Sequence, residues 1–405
     1  MPTIEKVREI PGRKWNPPGH PGVWVIPFTS WHCHRVIELL GDFDLDKNII
    51  ASADVKAVQP DVEFPPGLYP FQEECVRFTI RANGRCIIAD EMGLGKTIEA
   101  LAFVKLFSEK IIVIAPANVI YKWEAECKTW TGEKTVAVYP SGKGELGDED
   151  IQIMSYGIMA SRYEEIKDRF YNTVIFDEAH YLKSNKSIRS RVSKAVVKSG
   201  IQYVLMLSGT PFMNRPSELF PLLNMLDPNS YANYYDFARR YCGAQYIDGF
   251  WYFPPGVVTN IEELAERLKD VMIRRTKKEV LKDLPELTRT SVPVEISNMK
   301  EYKTAVRDIK DWLKKKGKEV VNSEHVLTRL NTLRQIVGDG KVEATLELAE
   351  NVLNDGKKIV IFAHHKAVVE QLKANLEASG HNVGLIDGSV APKKRQAVID
   401  EFLKL

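Results

Sequence analysis

The chain has 405 residues, of which 44% are hydrophobic, and its formal net charge is +2. A chain of this length can bury two full cores and a small accessory domain. The near-neutral charge gives no overall signal for nucleic-acid binding, so any DNA path must come from local clusters of basic residues. The five cysteines form no Cys-x-x-Cys pair, which excludes a zinc knuckle and a disulfide framework and favours a reducing compartment. No apolar stretch approaches the ~20 residues that a membrane-spanning helix needs.

The first part of the chain predicts a small separate module. Residues 1–57 have the pattern of two strands and a helix, and a proline-rich linker follows at 60–70. His32, Cys33 and His34 suggest a metal site, but adjacent residues of one short helix cannot all face the same ion. We therefore expect no structural zinc.

A phosphate-binding loop is predicted at residues 90–97, which read Asp-Glu-Met-Gly-Leu-Gly-Lys-Thr. The loop follows a short apolar run at 86–88 and opens a helix, which is the context that a P-loop requires. Gly93 and Gly95 allow backbone N–H groups to turn toward phosphate oxygens. Asp90 stands where the usual pattern has its first glycine, and this points to a specific subgroup. The alternative is a tight turn before an ordinary helix.

Lys96 and Thr97 carry the chemistry of this loop. The Lys96 ammonium would contact the β and γ phosphates of a nucleotide. The Thr97 hydroxyl would bind Mg²⁺.

Two carboxylates follow a later apolar run that is predicted as a strand. Asp177 and Glu178 end the apolar run 174–176, at the carboxyl edge where open α/β sheets bind ligands. Asp177 would bind Mg²⁺, and Glu178 would position or deprotonate the attacking water. Taken alone, such a pair also fits a solvated strand end, but its position after the phosphate loop favours a functional role.

A third segment follows the apolar strand Tyr203–Leu207. Its small hydroxylated residues, Ser208, Gly209 and Thr210, suit a hinge that couples nucleotide to nucleic acid. A simple turn is the alternative.

Apolar runs alternate with amphipathic helices from residue 70 to about 290. The runs lie at Ile111–Ala115, Val136–Tyr139, 151–154, 173–176 and Tyr203–Leu207. This alternation predicts a parallel sheet covered on both faces, as in a RecA-like lobe. A second βα pattern begins near residue 340, with strands predicted at 358–363 and 383–386.

Several motifs, in this order, resemble those of Snf-type double-stranded DNA translocases among the superfamily 2 helicase-like ATPases. Besides the three segments above, they are Pro70-Phe71-Gln72, Trp123, Glu126, Glu218-Leu219-Phe220, Ile273-Arg274-Arg275-Thr276-Lys277 and Leu284-Pro285. The resemblance runs from about residue 65 to the end of the chain. Further stretches, at 13–17, 23–27, 237–244 and 260–264, are similar to the annealing helicases that carry a HepA-related (HARP) domain.

The resemblance implies an α/β fold in four parts. They are a small α+β HARP-like DNA-binding module (1–57), a first RecA-like ATP-binding lobe with a parallel sheet (58–217), a helical protrusion with a basic segment (218–290), and linker helices with the N-terminal part of a second RecA-like lobe (291–405). The second lobe looks truncated, because the arginine pair that reaches the γ phosphate in this family has no counterpart. An arginine finger is worth about 10³ to 10⁵ in turnover, so weak ATPase activity is expected of this chain alone.

The resemblance also implies site residues, with ATP and Mg²⁺ as the cofactors. The expected catalytic residues are Glu178, Asp177 and Lys96, and the coupling residues are Ser208, Gly209 and Thr210. The expected ATP-binding residues are Gln72, Asp90, Glu91, Met92, Gly93, Leu94, Gly95, Lys96 and Thr97. Thr97 and Asp177 would bind Mg²⁺ through the nucleotide. The expected DNA-binding residues are Arg13, Lys14, Trp15, Lys122, Ser155, Tyr156, Lys183, Arg274, Arg275 and His364.

The expected function is ATP-dependent translocation on double-stranded or forked DNA, annealing or remodelling branched DNA in repair or replication. Two alternatives stay open. One is a non-catalytic ATP- and DNA-binding subunit that is completed by a C-terminal polypeptide with the remaining second-lobe motifs. The other is an RNA helicase, a group that shares Asp177-Glu178-Ala179-His180. We expect an intracellular protein without membrane contact, in the cytoplasm or nucleoid of a prokaryote or virus, or in the nucleus of a eukaryote.

Overall fold

The computed structural model describes residues 14–15, 24–25, 62–212, 215–285, 287–316, 324–390 and 392–404. Two compact units divide between Leu284 and Pro285. Most of the HARP-like module, with Arg13 and the His32-Cys33-His34 stretch, lies outside the described residues. Within that module, strands β1 (Lys14–Trp15) and β2 (Trp24–Val25) pair antiparallel. The four-part division of the chain stays a prediction.

A seven-stranded parallel sheet forms the centre of the first unit. Its strands are β3 (Arg85–Ile88), β4 (Ile111–Ala115), β5 (Val136–Tyr139), β6 (Ile151–Ser155), β7 (Thr173–Asp177), β8 (Tyr203–Leu207) and β11 (Met272–Ile273). Their spatial order is β11-β3-β8-β7-β4-β6-β5. This arrangement confirms the predicted α/β class and the parallel sheet.

Helices cover the sheet, and the connections between strands carry them. Up to the third sequence segment they are α1 (Pro70–Arg81), α2 (Lys96–Phe107), α3 (Ile120–Trp130), α4 (Tyr156–Ser161), α5 (Tyr163–Lys167) and α6 (Ile188–Lys198). The rest of the first unit adds α7 (Phe220–Leu226), α8 (Tyr234–Cys242), α9 (Ile261–Leu268) and α10 (Lys277–Val280), with an antiparallel hairpin of β9 (Gln245–Ile247) and β10 (Phe250–Tyr252).

The buried strands explain why the sequence shows continuous apolar runs rather than alternation. All five residues of β4 are fully buried. Ile112 and Ile114 belong to one hydrophobic cluster, whereas Ile111 and Val113 belong to the other. Because successive side chains of a strand point to opposite faces, both faces of the sheet are covered.

The aromatic-rich insertion between β8 and β11 is packed in part. Phe237 and Tyr241 of α8 are at most 5% exposed and belong to the hydrophobic cluster on one face. The β9–β10 hairpin lies on α8 through a stacked pair, Tyr235 and Trp251, whose ring centroids are 4.6 Å apart. Phe250, on the same hairpin, is exposed.

The second unit contains helices α11 (Met299–Lys316), α12 (Glu324–Gly340), α13 (Val342–Asn354), α14 (Lys366–Ala378) and α15 (Pro392–Lys404). The helices predicted after residue 340 are therefore present. The strands predicted at 358–363 and 383–386 are not, since both segments are described without a strand ladder. A strand requires a neighbour for its backbone hydrogen bonds, and neither segment pairs with another in the described part of the chain.

Across the part of the chain that the structure describes, no helix combines the length and the apolar character that crossing a bilayer requires.

The turn between α1 and β3 tests the packing of this sheet. Gly84 has a φ of 68°, and a Cβ built on it would lie 2.3 Å from Cδ1 of Tyr203 and 2.9 Å from Cζ of Phe103. Replacing Gly84 by Ala adds left-handed backbone strain to a clash in the core, so we expect a loss of about 3 kcal/mol of unfolding free energy. Urea denaturation measures this loss. Gly132 has a similar φ of 71° with no atom within 4 Å of an added Cβ, so Gly132→Ala should lose only about 1 kcal/mol. Equal losses in the two variants would contradict the packing described.

Candidate nucleotide-binding site

Three sequence segments meet at one edge of the sheet. The strands β3, β8 and β7 are neighbours, and Leu207 of β8 pairs with Ile88 on one side and with Asp177 on the other. Because parallel strands present their carboxyl ends at the same edge, the loops that follow these strands converge there. The structure thus brings together the phosphate loop, the carboxylate pair and the Ser-Gly-Thr segment.

The phosphate loop has the backbone that anion binding requires. Gly93 and Gly95 adopt left-handed φ values of 88° and 89°. Gly95 is the residue before the first turn of α2, and no side chain caps the helix there. The first N–H groups of α2 therefore remain available to a ligand, where the helix dipole favours negative charge.

Gln72 supports this loop from α1. Its Nε2 donates to the Leu94 carbonyl oxygen at 3.0 Å, and its Oε1 accepts from the backbone N–H of Tyr69 at 3.0 Å. A Cβ on Gly95 would lie 2.4 Å from Nε2 of Gln72. Glycine is therefore required at this position for close packing as well as for its backbone conformation.

Lys96 lies at the centre of the site. Its Nζ donates to the carbonyl oxygens of Asp90 at 2.8 Å and Glu91 at 3.4 Å. Burial lowers the pKa of Lys96, and the nearby Glu178 carboxylate opposes that effect. The third segment lies against the loop, since a Cβ on Gly209 would be 3.6 Å from Nζ of Lys96 and 2.8 Å from Cγ of Met92.

Asp177 ends β7 and is held on both of its oxygens. Nε1 of Trp123 donates to Oδ2 at 2.8 Å, and the backbone N–H of Glu178 donates to Oδ1 at 2.9 Å. Burial raises the pKa of Asp177. A cation would relieve the cost of this buried negative charge, and carboxylate oxygen is the ligand that Mg²⁺ prefers.

Glu178 is linked to the third segment through His180. Glu178 has a φ of 50°, and its Oε2 lies 3.0 Å from Nδ1 of His180. The same Nδ1 lies 3.3 Å from the hydroxyl oxygen of Ser208. That hydroxyl accepts the backbone N–H of Thr210 at 3.3 Å. A contact chain therefore runs from the carboxylate expected to act on water to the predicted coupling residues.

The structure places Asp90 differently from the sequence prediction of a nucleotide contact. Asp90 is fully buried and forms an ion pair with Arg275, whose Nε lies 3.0 Å from Oδ2 of Asp90. Nη2 of Arg275 also donates to Oε1 of Glu99 at 2.8 Å. We call these three residues the buried triad. Asp90 thus supports the loop through this ion pair, and its contact with a nucleotide stays a prediction.

Arg274 and Arg275, predicted as DNA contacts, both turn toward the loop. The Arg275 guanidinium is engaged by the buried triad and by the Phe71 carbonyl oxygen. Nη1 of Arg274 donates to the carbonyl oxygens of Ala89 at 3.0 Å and Gly209 at 2.9 Å. A guanidinium held as that of Arg275 is not available to a DNA phosphate. Sequence reasoning identified the segment but not the direction of its side chains.

The other predicted DNA contacts are dispersed. Tyr156 is 4% exposed and donates its hydroxyl to the Asp177 carbonyl oxygen at 2.7 Å, so it supports the carboxylate strand rather than facing DNA. The Ser155 hydroxyl accepts the backbone N–H of Ile158 and caps α4. Lys122 is exposed and Lys183 is half-buried, both in the first unit, whereas His364 is exposed in the second. Arg13 and the side chains of Lys14 and Trp15 lie outside the described residues, so their role stays a prediction.

The residues present fit ATP with Mg²⁺. The loop supplies left-handed glycines, an uncapped helix end and the Lys96 ammonium, which together are suited to hold a polyphosphate. Thr97 and Asp177 would hold Mg²⁺, and the phosphates would complete its coordination. In the described ranges, no group of three or more His, Cys, Asp or Glu residues is placed to hold a metal ion by itself. The four cysteines of these ranges, Cys75, Cys86, Cys127 and Cys242, are free and buried.

Glu99 is a site residue that sequence reasoning missed. It lies in the first half of α2, is 1% exposed, and has one oxygen, Oε2, without a hydrogen-bond partner. A signal was present, because a lone acidic residue in an apolar helix requires a buried partner.

The titration of Glu99 makes stability depend on pH. Burial, and then the neighbouring Asp90 charge, raise the pKa of Glu99 from its ordinary 4.5 to about 8. Because the pKa of Glu99 is higher in the folded protein than in the unfolded one, its contribution to the free energy of unfolding is fully present below pH 4.5. That contribution is lost as the pH rises through 8. The slope of the free energy of unfolding against pH is at most about 1.4 kcal/mol per pH unit.

Glu99→Gln removes this titration, so the variant should lose less unfolding free energy than wild type between pH 6 and 8. Urea denaturation at both pH values checks this, with the exposed Glu133→Gln as the control that should follow wild type. Parallel behaviour of Glu99→Gln and wild type would contradict the assignment.

Comparison with known proteins identifies a family. The SNF2-related domain profile matches residues 71–342. The mouse DNA annealing helicase and endonuclease ZRANB3 is 29% identical over 353 residues, which are 83% of this chain and 33% of that protein. The Caenorhabditis elegans homologue of SWI/SNF-related matrix-associated actin-dependent regulator of chromatin subfamily A-like protein 1 is 32% identical over 369 residues, 87% of this chain and 52% of that protein.

Among solved structures, the Sulfolobus solfataricus SWI2/SNF2 ATPase core in complex with dsDNA aligns with a TM-score of 0.48 and 24% identity, over 85% of this chain and 77% of that one. The chain spans from a third to about half of the length of the curated relatives named above. The match over residues 71–342 covers well over half of the chain, and the three nucleotide-site segments lie inside it. The chain belongs to the SNF2-related family of helicase-like ATPases and is homologous to the DNA annealing helicase ZRANB3.

Proposed function

We propose that this chain is the motor region of an ATP-dependent translocase that moves on double-stranded DNA and anneals or remodels branched DNA. The observation that carries the proposal is the contact chain from Glu178 through His180 to Ser208 at the phosphate loop. It joins the group that acts on water to the segment expected to respond to nucleic acid. A site that only stored a nucleotide would not need this link.

Each residue of the site has a part in the reaction. Lys96 and the N–H groups of the loop would bind the phosphates, and Thr97 and Asp177 would hold Mg²⁺. Glu178 orients or deprotonates the attacking water. When bound, ATP supplies the phosphoanhydride bond whose hydrolysis drives the cycle. The His180 contact then makes the position of Ser208 depend on the state of Glu178.

The branched-DNA part of the proposal rests on the relatives and on the N-terminal module. The mouse relative is named as a DNA annealing helicase. The N-terminal stretch with Arg13, Lys14 and Trp15 has the cations and the aromatic ring that a fork, with its phosphates and exposed bases, would engage. A protein with this activity would act inside the cell, where its DNA is.

A completing C-terminal polypeptide is part of the proposal. Val360 and Phe362 are 60% and 93% exposed, in the segment predicted as a strand of the second lobe. Apolar side chains in an unpaired extended segment are what an adjacent strand would cover. A polypeptide with the remaining second-lobe motifs would cover them and add the arginine that raises turnover.

The catalytic assignment predicts two different defects. Lys96→Ala should lose most nucleotide affinity, because the ammonium contacts the phosphates in the ground state. Glu178→Gln should bind ATP normally but hydrolyse it at least about 100-fold more slowly, because the carboxylate acts on water in the transition state. Fluorescent-ATP titration and DNA-stimulated hydrolysis separate the two effects.

Lys105→Ala, at an exposed position of the same helix, is the control for charge removal. Full nucleotide binding by Lys96→Ala would remove the phosphate-loop assignment, and equal loss of binding in both variants would mean that Glu178 has another role.

The fork assignment predicts a change in salt dependence. Replacing Arg13 and Lys14 together by alanine should make the slope of log affinity against log salt for forked DNA shallower by about 2, because two fewer phosphates are neutralised. Binding to plain duplex should change little. Competition binding at several salt concentrations measures both, and Lys105→Ala combined with Lys143→Ala removes the same number of charges as a control. An unchanged fork preference would reduce the proposal to a generic duplex translocase.

A further inference from the structure

A second lysine lies over the phosphate loop. Lys277 is the first residue of α10, and a Cβ built on Gly93 would be 3.3 Å from both Cε and Nζ of Lys277. Gly93 is the left-handed glycine in the middle of the loop. The Lys277 ammonium therefore approaches the loop from the segment that follows β11, whereas Lys96 approaches it from α2.

The backbone of Lys277 is fixed to the loop. Its N–H donates to Oε2 of Glu91 at 2.7 Å, and the Glu91 N–H donates to the Arg275 carbonyl oxygen at 2.9 Å. Thr276 begins α10 with a capping box, in which its N–H and hydroxyl both donate to Oε2 of Glu279, at 2.6 and 2.9 Å. The backbone from which the Lys277 side chain extends is thus held on both sides, and only the side-chain rotamer is free to change.

Lys277 is half-buried, and its ammonium lies beside the loop. Among the residues that the structure describes, no carboxylate forms an ion pair with its ammonium. Glu91, an acidic residue of the loop, accepts the backbone N–H of Lys277 with Oε2 of its carboxylate. A half-buried cation without a counterion, held beside a loop whose N–H groups suit an anion, is arranged to receive one.

We propose that Lys277 is a second phosphate-binding cation of the nucleotide site, contacting a phosphate oxygen of a nucleoside di- or triphosphate from the segment that follows β11. This inference rests on the proposed function, since it requires that the loop bind a nucleotide. It also gives the segment after β11 a part in nucleotide binding. The bound phosphate ties Lys277, and with it the chain that runs on toward Pro285, to the loop.

The test removes the charge but keeps the length of the side chain. Lys277→Met should bind ATP about tenfold more weakly, the loss expected for one charge-assisted hydrogen bond, with an unchanged melting temperature in the absence of nucleotide. Lys277→Arg, which keeps the charge, should recover most of the affinity. Lys278→Met removes the exposed neighbouring charge of the same helix and should bind ATP like wild type.

Three results would overturn the inference. The first is wild-type affinity for ATP in Lys277→Met. The second is equal weakening of ATP binding in Lys277→Met and Lys277→Arg, which would indicate a packing effect rather than a charge effect. The third is equal weakening in Lys278→Met, which would indicate a general electrostatic effect of positive charge on this helix. Lys96→Met separates this inference from the proposed function. If Lys96→Met also binds like wild type, the nucleotide site itself is wrong, whereas loss of binding in Lys96→Met alone rejects only the role of Lys277.

Discussion

The buried triad of Asp90, Glu99 and Arg275 is the constraint on which the nucleotide site depends. Asp90 and Glu99 are at most 1% exposed, and two carboxylates this close to each other are stable only if a cation joins them or one keeps its proton. Arg275 supplies the cation, while burial and the Asp90 charge still raise the pKa of Glu99. Removing one member of a buried ion pair typically lowers the free energy of unfolding by about 3–5 kcal/mol, because the remaining charge is left unpaired. Asp90 at the start of the loop thus requires Arg275.

This requirement connects the edge strand to the nucleotide. Backbone hydrogen bonds run from Ile87 to Val271 and from Ala89 to Ile273, both at 2.7 Å, and continue from Glu91 to Arg275 at 2.9 Å. The segment 271–277 therefore follows β3 past its end and along the phosphate loop. In a motor that couples hydrolysis to movement, the polypeptide leading out of the first unit must respond to the nucleotide. In the proposed motor this response would have a direct path, because the segment 271–277 forms part of the wall of the site.

Much of this fold and site was predictable from the sequence, and the exceptions share a physical cause. The parallel sheet follows from apolar runs such as Ile111–Ala115. The convergence of Lys96, Asp177 and Ser208 follows from the rule that parallel strands present their carboxyl ends at one edge.

The direction of a charged side chain follows from no such rule. Arg275 and Asp90 lie 185 positions apart, so no local pattern reveals that each neutralises the other. Tyr156 is likewise buried by a contact with Asp177 that periodicity does not predict. The segments 358–363 and 383–386 have the composition of strands, but strand formation requires a neighbour that composition cannot supply.

ATP hydrolysis by the chain with different nucleic acids tests the account most directly. Linear duplex DNA, forked duplex DNA, single-stranded DNA and RNA are compared at equal nucleotide concentration and one salt concentration, with Glu178→Gln subtracted as the background. Because the proposed motor acts on the duplex backbone, linear and forked duplex should raise the weak hydrolysis expected of this chain alone above its rate without nucleic acid, and single-stranded DNA and RNA should not. Stronger stimulation by RNA than by duplex DNA, or the same rate with all four, would contradict the account.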